Sequence, residues 1–127
     1  MIEIVYKGSD NPNTVTFKED GAAIDFSAAT RMTLELSGLG VVADSAVDAA
    51  LMTWALSFDK QGNPINDANG DQYWEVEFNL NDLDIAPDTY RATVKVYDPL
   101  HTDGQVVVHM DEIAMDKSLQ FVFADVA

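Results

Sequence analysis

The sequence contains no cysteine, which removes disulfides, thiolate metal sites and Cys–His catalysis together. It is also poor in basic residues: seven Lys and Arg stand against 22 Asp and Glu, a formal net charge of −15. That deficit argues against nucleic acid, whose phosphates must be met by Lys and Arg, and against anionic membrane surfaces. It favours solubility and self-repulsion, while leaving an attraction for basic partner surfaces. No apolar run approaches the roughly 18 residues of a membrane span. The opening "MIEIVYKGSD" lacks a basic segment followed by an apolar one, so no signal peptide is read. No segment sustains an apolar 3.6-residue period, and the short Ala-rich "SAVDAA" at Ser45–Ala50 reads as a loop or the start of the next strand, because helices that short are marginal.

What is present is alternation. Hydrophobic residues make up 47% of 127 residues, enough for one domain with its own core, and they recur with period two, as in half-buried strands. Met32, Leu34 and Leu36 fall on one face of a strand, with Arg31, Thr33 and Glu35 on the other. The same reading groups Met52, Trp54, Leu56 and Phe58; Trp74, Val76, Phe78 and Leu80; Tyr90, Ala92, Val94 and Val96; and Leu119, Phe121 and Phe123. Ile2–Tyr6, Val15–Lys18, Ala22–Asp25 and Gln105–Met110 are further strand candidates. "EDG" at Glu19–Gly21 suits a tight hairpin, because Gly21 accepts positive φ. "DKQGNPINDANGDQ" reads as an extended hairpin loop at 59–72, and "DPLHTDG" as another turn. The chain is therefore expected to be one all-β domain, 1–127, with an insert at 59–72: an antiparallel sandwich of about eight strands. Strand-like sequence runs nearly to both ends, so a complete small gene product is expected.

Chemistry-bearing patterns are sparse. The histidines, His101 and His109, sit in no nucleophile setting, and there is no G-x-S-x-G elbow. Glu75 and Glu77 share one strand face, the arrangement of outward carboxylates on a half-buried strand and not evidently that of a glycosidase pair. Asp67, Asn69 and Asp71 in "DANGD" match the first half of a calcium loop, but Gln72 and Phe78 occupy the places of its Gly and Glu. A turn built on Asn69-Gly70 explains the same residues. No catalytic residue and no cofactor is expected, so the chain does not read as an enzyme. Tyr73 and Tyr97 fall on outer strand faces, and Val5 and Val107 are apolar residues out of phase. These four are the interface candidates, because exposed aromatic and apolar side chains anchor protein contacts.

"LDIAPDTYRATVKVYD" resembles the corner before the sixth strand of immunoglobulin-like domains, with Tyr90 in the place of the tyrosine that bonds back to upstream backbone. The stretch Val15–Leu36 adds a wider resemblance. A strand (Val15 to Phe17), an Asp20-Gly21 turn, an Ile24-Asp25 pair, a small-residue corner (Ser27 to Ala29) and an alternating strand (Met32 to Leu36) follow one another. Thr89-Tyr90 then leads a long strand to Val96-Tyr97-Asp98, and "TDGQVVVHMDEIAMDKSLQFVF" supplies closing strands. Together these resemble small tailed-bacteriophage proteins, specifically the N-terminal immunoglobulin-like domain of upper baseplate proteins. The resemblance implies an immunoglobulin-like sandwich located in the virion and made in the host cytoplasm. Its partners would be other virion proteins, in a homo-oligomer or symmetric assembly, with no nucleic acid or membrane. A capsid decoration protein, or a carbohydrate- or calcium-binding sandwich module, are the alternatives.

Overall fold

The computed structural model describes residues 2–108 and 119–125. It is all-β, with no helix among the described residues. Eleven strand segments follow in order: β1 (Ile2–Lys7), β2 (Asn13–Thr16), β3 (Lys18–Glu19), β4 (Ala22–Ala23), β5 (Arg31–Leu36), β6 (Gly40–Asp44), β7 (Met52–Leu56), β8 (Trp74–Phe78), β9 (Asp88–Asp98), β10 (His101–Val108) and β11 (Gln120–Asp125). The count exceeds the expected eight partly because β3 and β4 form a separate two-residue hairpin. Its turn has positive φ at both Asp20 (52°) and Gly21 (83°), the type I′ geometry that matches strand twist. His109 and Met110, at the end of one strand candidate, lie outside the described residues.

The larger sheet runs β1-β11-β9-β5-β6, with β10 also paired to β9, and the smaller runs β2-β8-β7. β5 lies along one edge of β9, pairing Ala92 to Tyr97. β11 takes Asp88 to Arg91 and β10 takes Val94 to Asp98, so those two strands share the other edge in succession. β1 closes the sheet by pairing in parallel with β11. The apolar faces of the two sheets meet: the rings of Phe78 (β8) and Phe121 (β11) lie 5.2 Å apart, edge to face, and Phe17 packs edge-on against both Phe26 and Phe78. Met32, Leu34, Leu36, Val76, Ala92 and Val94 are buried among them, each larger side chain contributing about 1.5–3 kcal/mol by leaving water.

Tyr90 behaves as its sequence context predicts. Its ring is buried edge-on against Phe123, and its hydroxyl donates to the Ala86 carbonyl at 2.8 Å. The bond ties the start of β9 to the turn before it and satisfies a polar group that burial would otherwise strand.

Three expectations need correction. Val5 does not face outward: it is fully buried, because its register opposite Phe123 places it on the core side of the sheet, and Ile2, Ile4 and Tyr6 therefore point away. Val107 is half-buried and packs against the core. Register shifts in β10 on either side of the 105–106 pairing change its phase, as bulges do, and leave Val106 exposed instead. On β7 and just beyond it, Met52 is buried, but Trp54, Leu56 and Phe58 emerge progressively, Phe58 reaching 53% exposure, as the chain runs past the cover of the larger sheet. Thr33 and Thr93, on the outer side of β5 and β9, are nonetheless buried.

Replacing Tyr90 with Phe keeps the ring and removes the bond to Ala86. The expected loss is about 1 kcal/mol, read as a lower urea midpoint with an unchanged slope.

Candidate interaction surface

The 59–72 insert is built from one turn used twice. Asp59 and Asp67 each begin a D-x-x-G-(N/D) segment. In both, the Asp N–H donates to the carbonyl four residues on, and the glycine N–H returns to the Asp carbonyl. In both, Oδ1 accepts the N–H groups two and four residues ahead. Gly62 and Gly70 supply the positive φ that closes each turn. Between them, Ile65 wedges into the fork where β7 and β8 separate: its N–H donates to Ser57 and its carbonyl accepts from Tyr73.

The turn accounts for the calcium-like residues. Asp67 Oδ1 accepts from Asn69 and Asp71, and Oδ2 accepts from the Ala23 N–H at 2.8 Å. A cation at this carboxylate would have to compete with three N–H donors. Among the described residues, no group of three His, Asp or Glu is arranged to hold a metal. The Ala23 N–H, followed by that of Asp71, holds the Asp67 carboxyl below the ordinary aspartate value of 3.8. Tyr73 fastens the same corner: its hydroxyl donates to Gly21 O at 2.6 Å, and the Lys18 ammonium sits 4.7 Å from the ring centre. The insert is thereby pinned to the β3–β4 hairpin.

Tyr97 is half-buried on the outer face of the larger sheet. The Arg31 guanidinium lies 4.5 Å from its ring centre and forks onto both carboxylate oxygens of Asp44, with Nε to Oδ1 at 2.9 Å. Gly104 approaches the same ring so closely that a Cβ there would stand 2.9 Å from it. Both candidate tyrosines thus carry a cation of the same chain over the ring.

The apolar surface lies elsewhere. Ile2, Ile4 and Tyr6 alternate along β1 at 63%, 45% and 44% exposure. Across the parallel ladder they stand beside Gln120, Val122 and Ala124, of which the last two extend the apolar face. The rim of β1 is blunted: Asn13 Nδ2 donates to Ile4 O, and Asn81 Nδ2 to Tyr6 O, which discourages addition of another strand at that edge. What remains is a face, not an edge. Alternation in "IEIVY" alone could not reveal it, since either phase puts apolar residues on both sides.

Glu75 and Glu77 are half-buried on the outer face of β8, Glu75 accepting from the Ser57 hydroxyl at 3.1 Å. His101 Nδ1 meets Asp98 Oδ1 at 2.9 Å in an exposed turn. No family model, curated protein or solved structure matches this chain.

Two outcomes are expected. Because its folded pKa is depressed, Asp67 contributes stability that is present above the unfolded value and lost as pH falls through the lower folded one. In an NMR titration, the midpoint of the Ala23 amide's pH-dependent shift should therefore fall below the ordinary aspartate value of 3.8. Gly104→Ala forces a side chain at φ +87° into the Tyr97 ring, and should destabilise the protein by about 1–3 kcal/mol in urea unfolding.

Proposed function

We propose that this chain is an immunoglobulin-like β-sandwich serving as a structural protein of a tailed-bacteriophage virion, at the tail or baseplate, through protein–protein contacts. Support for the immunoglobulin-like reading comes from the strand order. A five-strand path β1-β11-β9-β5-β6, in which β1 and β11 are parallel neighbours, faces a β2-β8-β7 sheet, and Tyr90 forms the corner bond typical of that architecture. The virion reading draws on the motif resemblance in Val15–Leu36 and Thr89–Asp98.

The observation that carries a contact role is the apolar face of β1 and β11. Exposed apolar rows on an otherwise acidic protein mark surfaces that another protein covers. The mechanism is complementarity: the apolar face supplies affinity, and the surrounding negative charge rejects mismatched neighbours.

The test is quantitative mass spectrometry of purified particles of the phage carrying the gene. Copies far below those of the major capsid protein agree with a tail or baseplate position. Copies on the order of hundreds indicate capsid decoration or a tail tube, as stacked rings and shells require. Absence from particles overturns the reading. The double variant Ile4→Asp, Tyr6→Asp should keep its unfolding free energy within about 1 kcal/mol, about 0.5 for each exposed site, yet enter particles at least about tenfold less.

A further inference from the structure

At the end of the sandwich where β7 leaves the cover of the larger sheet, a cleft of about 430 Å³ opens between the insert and the Asp25–Ser27 corner. This lies within the size range of ligand sites. Leu56 and Trp74, opposite one another on β7 and β8, form its apolar side, and Phe26 packs edge-to-face with the indole, ring centres 6.5 Å apart. Asp25 and Ser27 line it from the corner, and Asp71 and Gln72 from the insert. None of the lining residues is basic.

The walls are held in place before any ligand arrives. The Ala23 N–H to Asp67 bond, the Tyr73 hydroxyl to Gly21 bond and the Gln72 amide to Ser57 carbonyl bond (2.9 Å) tie hairpin, insert and sheet together. The Ser27 N–H donates to Asp25 Oδ1 at 2.8 Å and, with the Ser27 side chain, favours its charged form. The carboxylate of Asp71 takes no hydrogen bond from the described residues.

The molecule itself shows what completes such a set. At Arg31, a guanidinium sits over the Tyr97 ring, 4.5 Å from its centre, and forks onto the Asp44 carboxylate. The cleft has the aromatic face and the carboxylates, but no guanidinium. A planar cation both stacks on an aromatic face and bonds to carboxylates, which an ammonium does less well. The overall charge of −15 would draw such a group in. We infer that this cleft receives an arginine side chain presented by a partner protein, with the guanidinium between Trp74 and the carboxylates of Asp25 and Asp71. The inference does not rest on the virion reading, and its failure would leave the β1 face and the particle measurement untouched.

The two tryptophans are Trp54 and Trp74, so the Trp54→Phe protein reports on Trp74 alone through its indole N–H resonance. Titration with N-acetyl-arginine amide should shift that resonance saturably, at least tenfold more tightly than N-acetyl-citrulline amide, its uncharged isostere. Asp71→Asn should weaken the arginine response at least threefold and reduce its salt dependence, with Asp25→Asn as a second variant. Equal responses to arginine and citrulline, no response at Trp74, or a response to methyl glucoside in place of arginine would each overturn the inference.

Discussion

The whole larger sheet depends on β9 being long enough to serve three partners. β5 occupies one of its edges, while β11 and then β10 divide the other. A strand of half its eleven residues could hold either β11 or β10, but not both. Losing the β11 segment would also release β1, whose sole ladder partner among the described residues is β11. The Tyr90 bond to Ala86 sits at the start of this strand, so it fixes where β9 begins and hence which of its residues face each neighbour. Side chains alternate, and a slip of one residue would move Ala92, Val94 and Val96 from core to solvent.

The shortage of positive charge shapes the surface as much as the core shapes the interior. Two of the seven basic residues are laid over tyrosine rings, Lys18 on Tyr73 and Arg31 on Tyr97. Each holds down a place where separate segments meet: the hairpin with the insert, and β5 with β6 and β9. Side-chain carboxylates also act as internal acceptors, with Asp59 and Asp67 each organising a five-residue turn. Much of the acidic residue content is therefore structural as well as solubilising, and the remainder leaves the cleft beside Trp74 without a counter-charge of its own.

The proposed contact role and the fold share one origin here. A parallel β1 brought against β11 places Val5 in the core and turns Ile2, Ile4 and Tyr6 outward. The stripe suited to a neighbour is thus a by-product of closing the sheet. The side-chain amides of Asn13 and Asn81 bond to carbonyls of β1, so contact through the face is favoured over addition of another strand.

The sequence by itself determined the all-β class, the inward rows on β5, β8, β9 and β11, the Asp20-Gly21 turn and the Tyr90 corner. Each of these is written in local alternation or in residues with special backbone or hydrogen-bonding properties. It misplaced Val5 and Val107, and it kept Leu56 and Phe58 in the core. It placed Tyr73 and Tyr97 on outer strand faces, but not the Lys18 and Arg31 cations over their rings. Those points were decided by tertiary structure. Which phase of an apolar strand faces inward depends on a ladder partner more than a hundred residues away, and whether an inward row stays covered depends on how far the opposing sheet extends. Neither distance is encoded in the spacing of neighbouring residues.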